Sequence, residues 1–243
     1  MKWYLCRLLV IFLVLLPVGA NAQDLSFSLG DDGSISARTI QLFALVTVLS
    51  LAPGLAIMVT CFPFLVTVLS ILRQAIGLQQ SPPNMLIVSL ALFLTYFVME
   101  PVFTQAWVNG IVPLNNEVID AETAFIRVLE PFRTFMAGRL DPETFYAMAE
   151  LRPDTIDATP TPDAPLSVLV PSFLLSEISR AFQIGFLIFL PFLIIDLVVA
   201  AVLMSMGMMM VPPVIVSLPF KLAFFVIADG WSLIAGSLVR SYF

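Results

Sequence analysis

Long apolar runs separated by short polar stretches dominate this sequence. No charged residue occurs between Thr39 and Leu72, and three further apolar runs follow, at Met85 to Val108, Phe182 to Met206 and Val214 to Val239. A bilayer crossing takes about 20 helical residues, so each run is long enough to span. The pattern predicts an all-α integral membrane protein with four crossings in its mature form.

Prolines predict that these helices are broken and kinked. At about 1.5 Å per residue, Thr39 to Leu72 is too long for one straight crossing of about 30 Å, and we expect a break near Pro53-Gly54 or Pro63. Glu100-Pro101 interrupts the next apolar run. Proline lacks an amide donor and clashes with the preceding turn, so Pro212-Pro213 is predicted to stop the helix before it.

The first 22 residues have the pattern of a cleaved secretory signal peptide. Lys2 and Arg7 precede a short apolar core, and Ala20 and Ala22 occupy the −3 and −1 positions of a cleavage site after residue 22. An uncleaved first span is the alternative. Cleavage would leave a polar lead-in over residues 23–38 on the periplasmic side, before the first two apolar regions at residues 39–116.

Residues 117–166 are predicted to form an acidic, helical, extracytoplasmic segment. Ten acidic residues oppose four arginines between Glu117 and Asp163. Spacings of three and four residues predict one amphipathic helix, with its apolar face at Val118, Ala121, Phe125, Leu129 and Phe132. Asp141-Pro142-Glu143 predicts the start of a second helix, because Asp caps free amides and Pro suits the first turn. Pro153 to Pro165 is predicted to be an exposed linker.

Residues 167–243 are predicted to form a helical hairpin around a methionine-rich loop. Five methionines lie at the end of the first apolar stretch: Met204, Met206, Met208, Met209 and Met210. They could be apolar side chains that face the lipid and have no specific role. They could also form a deformable seal, because flexible thioethers repack around irregular shapes.

Ionisable residues are rare within the apolar runs. A charge at the bilayer centre costs about 3 kcal/mol on insertion scales, so Asp196 and Lys221 each need a partner or a polar cavity. The pair could join the last two helices, contact another subunit or relay protons. Glu177 and Arg180, three residues apart, can pair as local helix support. Glu100 could likewise pair within the chain, contact another subunit or relay protons, or its side chain could extend to the outer surface of the membrane.

Composition excludes several classes of function. The mean hydropathy is +1.01 and charged residues make up 12%, about half the level of soluble domains. There is no histidine, which removes the commonest general base and zinc ligand. The formal charge of −6, without a basic cluster, argues against nucleic acid as a partner. We expect no enzymatic activity, no metal and no cofactor.

Three blocks of the chain resemble the P-subunit family of the flagellar type III protein export gate and its counterpart in virulence secretion. They are Leu72–Asn84 (LRQAIGLQQSPPN) with the apolar run after it, Pro171–Phe186 (PSFLLSEISRAFQIGF) and Pro191–Pro213 (PFLIIDLVVAAVLMSMGMMMVPP). The blocks follow the family's order and spacing. The signal peptide and the acidic insert fit its pattern too.

The resemblance implies a subunit of a pore for unfolded export substrates in the bacterial inner membrane, at the flagellar basal body. Several copies would assemble helically with the related Q and R subunits. Met208, Met209 and Met210, with Met206 beside them, would line the pore as a gasket, and Phe186 or Phe189 would act as a plug.

Two other classes of function remain as rivals at this point. A secondary transporter of small solutes would place a binding site at broken helices near the midplane. An intramembrane hydrolase of the aspartyl type would need two converging acids, and Asp196 with Asp229 is the candidate pair in the last two helices.

Overall fold

The computed structural model describes residues 35–77, 82–208 and 210–243, and the predicted signal peptide with Ala20 and Ala22 lies outside them. Two compact units divide the chain, residues 1–48 and residues 49–243. All regular elements of the described residues are helical. In chain order they are α1 (Ile35–Met58), α2 (Phe62–Ile76), α3 (Asn84–Ala106), a π-helical turn (Trp107–Ile111), α4 (Val112–Asn115), α5 (Ala121–Arg139), α6 (Pro142–Ala149), α7 (Leu166–Ser205), α8 (Pro213–Ile227) and α9 (Gly230–Arg240).

Three of the described helical stretches are long and apolar enough to cross a membrane. They are Thr39–Met58, Asn84–Asn115 and Leu166–Ser205. Helices α8 and α9 together meet the same criterion as a pair bent by 60°. The fold is therefore that of an all-α membrane protein, as predicted, with three such stretches or four if the bent pair is one span.

The break in the first apolar run falls at residues 59–61. Helix α1 continues through Pro53-Gly54, and Pro63 lies in the first turn of α2, where its missing amide costs no helical hydrogen bond. The residues of α2 that face inward recur every three or four positions and are at most 1% exposed: Phe64, Leu65, Val68, Leu69 and Leu72. This short helix is thus the centre of the core in the second unit.

Helices α3 and α7 enclose α2. Ala91 and Met99 of α3 and Ala181 and Phe192 of α7 belong to the same buried cluster. At Gly185 of α7 an added Cβ would lie only 2.4 Å from Ile71 Cδ1, so the two helices pack at a distance that a larger residue would not allow.

The Glu100-Pro101 interruption of the apolar run does not break the helix. Helix α3 continues through Pro101 to Ala106, and the π-helical turn carries the helical stretch on to Asn115. A proline inside a helix removes one hydrogen bond, and the buried face of α3 on both sides of Pro101 supplies packing that offsets this loss. Glu100 itself is exposed and forms no ion pair with a described residue.

In the acidic segment, both predicted helices are present, but the predicted apolar face of α5 is only partly buried. Phe125 is exposed, whereas Ala124, Pro131 and Met136 are the buried residues of this helix. Phe125 instead lines an open apolar cavity of about 580 Å³ together with residues of α1, α2 and α3. At the start of α6, Thr144 N–H donates to Asp141 Oδ2 over 3.0 Å, as the capping pattern predicts.

The linker at residues 153–165 is non-helical as predicted, yet it is not wholly exposed. Thr155 and Ala164 are buried. Arg133 Nη1 donates to the carbonyl oxygens of Pro162 and Ala164, both over 2.9 Å. The linker is therefore tied to α5.

Helix α7 is a single helix of 40 residues, with Pro171 and Pro191 inside it. At about 1.5 Å per residue it is about 60 Å long, roughly twice the thickness of the hydrocarbon core. Its first half, up to Gly185, contains most of its buried residues, whereas Leu193 to Met204 are largely exposed. The exposed half and α8 form an apolar hairpin.

Candidate pore loop and buried ion clusters

The methionine-rich loop is formed by the turn between α7 and α8. Gly207 has a φ of 75°, the left-handed conformation that glycine adopts without strain. Met208 N–H donates to Leu203 O over 3.0 Å, and Gly207 N–H donates to Met204 O over 3.1 Å, which is the hydrogen-bond pattern of a Schellman motif. Gly207 therefore ends α7. The prediction that Pro212-Pro213 stops it is wrong, because Pro213 is the first residue of α8.

The methionine side chains of this loop are open to its surroundings. Met206 is 67% exposed, Met208 42% and Met210 99%, while Met209 lies outside the described residues. The hairpin below the loop is apolar on its outer surface too, with Ile194, Val198 and Val202 exposed. A second copy, another subunit or lipid must cover so much apolar surface.

Asp196 of α7 and Lys221 of α8 lie together within the hairpin. Lys221 Nζ donates to Asp196 Oδ2 over 2.6 Å, and Ser217 Oγ donates to Asp196 Oδ1 over 2.5 Å. The Lys221 side chain is 4% exposed and that of Asp196 26%. Each charge thus has a partner of opposite sign within an apolar hairpin, where an unpaired charge would be costly.

Lys221 also joins the hairpin to α2. Its Nζ donates to Ala75 O over 3.2 Å. Ala75 lies in the last turn of α2, where carbonyl oxygens lack helical partners and the helix dipole places partial negative charge. One ammonium group therefore connects α7, α8 and the end of the central helix.

Glu177 and Arg180 pair, and their contact is part of a larger buried cluster rather than a local pair alone. The Glu177 carboxylate is 0% exposed, and Arg180 Nη1 and Arg139 Nε donate to its Oε1 over 3.3 Å and 3.2 Å. Tyr242 OH donates to its other oxygen. This cluster joins α5, α7 and the C-terminal tail.

Arg139 and Tyr242 are the members of this cluster that sequence reasoning missed. Arg139 Nη1 also donates to Ser241 O over 2.8 Å, and its guanidinium carbon lies 4.0 Å from the centroid of the Tyr242 ring. Burial and the Glu177 carboxylate raise the pKa of Tyr242, so its hydroxyl stays protonated and able to donate. Arg139 lies in the last turn of α5, beyond Phe132, the last residue of the predicted apolar face, so that pattern gave no signal for this contact.

The remaining candidates are separated along the molecule. Phe186 is 63% exposed on α7, whereas Phe189 is half-buried against the core. Asp229 is exposed at the break between α8 and α9, with a φ of 47°. An aspartyl hydrolase would need the carboxylates of Asp229 and Asp196 to face each other. The Asp196 carboxylate is bound by Lys221 and Ser217 instead.

Among the described residues, no group of three or more Cys, Asp or Glu side chains could hold a metal ion. What the structure offers instead is an apolar hairpin with a methionine tip, joined to the central helix by the Asp196–Lys221 pair, and a second ion cluster that joins α5, α7 and the C-terminal tail. The fold and this site define a helical membrane protein whose exposed apolar surface is suited to assembly.

Comparison with known proteins agrees with that class. The chain belongs to the FliP family, whose model matches residues 45–238. It is 50% identical to the flagellar biosynthetic protein FliP of Agrobacterium fabrum, over 97% of this chain and 99% of the relative. The proteins of the same name from Caulobacter vibrioides (49% identical, 94% of this chain, 86% of the relative) and Bacillus subtilis (46%, 89% and 97%) are also similar.

Proposed function

We propose that this protein is a pore-forming subunit of the flagellar type III protein export gate. In this role it passes unfolded flagellar proteins across the inner membrane and is needed for flagellum assembly. Several copies assemble with the Q and R subunits, and the mature N-terminus lies on the periplasmic side. The relatives named above are flagellar proteins, which favours motility over the virulence counterpart.

The methionine loop is the observation that carries this proposal. An export pore must admit side chains of every size and still block ions when it is idle. Unbranched thioethers repack around irregular shapes, and an apolar constriction excludes hydrated ions. Met206, Met208 and Met210 are exposed at the tip of the hairpin, where neighbouring copies can bring them together around one pore. We place Met209 in the same ring.

The ion clusters have a structural role in this proposal. Asp196 and Lys221 hold α7 against α8 and hold the hairpin to α2. The position of the loop relative to the core is therefore fixed within each copy, which a ring of matching loops requires. Of the two plug candidates, Phe186 is favoured because its ring is the more exposed.

Replacing Met206, Met208, Met209 and Met210 together by alanine tests the gasket. The subunit should still copurify with its partners in a complex of unchanged size, because Met206, Met208 and Met210 are exposed rather than part of the core. Cells that produce this four-methionine variant should leak small ions across the membrane, which is measured as loss of membrane potential. The control is Met85→Ala at the start of α3, a methionine outside the loop that is 80% exposed. An ion-tight membrane during export would count against the gasket. Purification of the protein as a monomer or dimer, as expected for a small-solute transporter, would count against the whole function.

A further inference from the structure

A groove separate from the pore loop runs between α3 and α9. Leu94 and Phe97 of α3 form one wall, and Ala235, Gly236 and Val239 of α9 form the other. The groove has a volume of about 390 Å³ and is apolar except at Arg240. Both helices belong to stretches that can span a membrane, so an acyl chain of the bilayer can reach it.

Arg240 places a cation at one end of this groove. It is exposed, and it forms no ion pair with a described residue. Its Nη2 lies 3.5 Å from the point where a Cβ on Gly236 would be, so the guanidinium folds back along the groove over a residue without a side chain. The next residue, Ser241, accepts a hydrogen bond from Arg139 of the acidic segment. This end of the groove is therefore the polar end.

Glu100 lies on the same side of α3, one helical turn beyond Phe97. Residues three apart on a helix are surface neighbours. Glu100 is exposed and, like Arg240, forms no ion pair with a described residue. The groove thus has one cation in its lining and one anion on the next turn of its α3 wall, neither of them paired with a described residue, and together these complement a head group that carries both charges.

We propose that this groove binds a zwitterionic aminophospholipid of the surrounding bilayer. One acyl chain fills the groove, which removes apolar surface of the protein from water. The lipid phosphate accepts hydrogen bonds from the Arg240 guanidinium, and the ammonium of the head group donates to Glu100. Phosphatidylethanolamine has this chemistry, whereas phosphatidylglycerol would place only negative charge beside Glu100.

The test measures lipid retained by the purified complex. The complex is equilibrated with micelles that contain equal amounts of phosphatidylethanolamine and phosphatidylglycerol, and bound lipid is quantified by mass spectrometry after gel filtration. Arg240→Gln should lower retained phosphatidylethanolamine about five-fold, the factor expected for one cation at a membrane surface. Gly236→Leu, which fills the groove, should lower it as well. Glu100→Gln should keep the total and shift the retained lipid towards phosphatidylglycerol.

Arg127→Gln, which removes an exposed arginine of α5 outside the groove, is the matched control and should change nothing. Parent-level phosphatidylethanolamine in both Arg240→Gln and Gly236→Leu would overturn the proposal. So would a preference of the parent protein for phosphatidylglycerol. A thiol-reactive photo-crosslinker attached at Phe97→Cys that couples to another subunit would show that protein fills the groove, and would overturn the proposal too.

Discussion

Two ion clusters hold α7 to the rest of the molecule, and they differ in composition. Glu177 is a fully buried carboxylate that faces two arginines and a tyrosine hydroxyl. Asp196, roughly 28 Å further along α7 at about 1.5 Å per residue, faces one lysine and one serine. The first cluster has more positive than negative charge, whereas the second is a balanced pair.

This difference follows from the surroundings of each cluster. The Glu177 cluster joins the acidic segment to the C-terminal tail, where the outer parts of Arg139 and Arg180 remain partly exposed. Water can stabilise the surplus positive charge there. The Asp196 pair lies within the apolar hairpin, where the lysine is almost fully buried and neutrality is required. Loss of a charge should therefore have different consequences in the two clusters.

Glu177→Gln is the change with the largest expected effect. It keeps the volume of the side chain but leaves two arginines without a counter-charge, and breaking a buried ion pair in this way costs on the order of 3 kcal/mol or more. For a chain of this size the melting temperature should fall by roughly 10 °C. Thermal unfolding of the detergent-purified protein measures it.

Glu130→Gln on the exposed surface of α5 is the control and should leave the melting temperature unchanged. Arg180→Gln should have a smaller effect than Glu177→Gln, because Arg139 remains as a counter-charge. Equal melting temperatures for Glu177→Gln and the parent would mean that the buried carboxylate does not hold the cluster together.

The balanced pair allows a double-mutant cycle. Lys221→Met and Asp196→Leu should each destabilise the protein, by on the order of 2–3 kcal/mol, because each leaves one charge in an apolar place. The double variant should be more stable than either single variant, because an apolar pair of similar volume can replace a buried ion pair at little cost. Thermal unfolding of all four proteins gives the coupling.

The same cycle separates a structural role from proton transfer. If the pair is structural, the double variant should assemble and should regain export. Normal assembly of the double variant with complete loss of export would contradict this role, because it would show that the charges act on protons rather than on packing.

The pairing of Asp196 could be predicted from the sequence because the apolar runs contain few other ionisable residues that could serve as its partner. Asp196, Lys221 and Asp229 are the only ionisable residues between Phe182 and Val239, so the pairing partner of Asp196 could be named from so short a choice. The helical class and the spans followed from the length of the apolar runs in the same way. A span needs about 20 consecutive apolar residues, and this requirement can be read directly from a continuous stretch of sequence.

The Glu177 cluster was not predictable to the same degree. Arg139 and Tyr242 are 38 and 65 residues away from Glu177, and the acidic segment contains many other charges that could have paired with it. The spacing of Glu177 and Arg180 predicted only a local pair, since it does not show which distant parts of the chain pack over them. The end of α7 was missed for a related reason, because Pro212-Pro213 was a stronger local signal than Gly207.

The smallest expected effect is at Asp141, which caps α6 beside the Glu177 cluster. Ser176 Oγ, next to Glu177, accepts a hydrogen bond from Asp141 N–H over 2.9 Å. Hydrogen bonds from the Thr144 hydroxyl and amide lower the pKa of the exposed Asp141 carboxyl. The cap therefore stabilises the fold above the ordinary Asp pKa of about 3.9, and this stabilisation is lost as pH falls through the lowered pKa.

Thr144→Ala removes the hydroxyl donor and should raise the pKa of Asp141 towards its ordinary value, with little change in melting temperature at neutral pH. An NMR titration of the Asp141 carboxyl carbon measures this shift. Thr134→Ala, which removes an exposed threonine hydroxyl bonded to the Glu130 carbonyl, is the control and should leave the pKa of Asp141 unchanged. An unchanged pKa in Thr144→Ala would show that the Thr144 hydroxyl does not bond to the Asp141 carboxylate in solution.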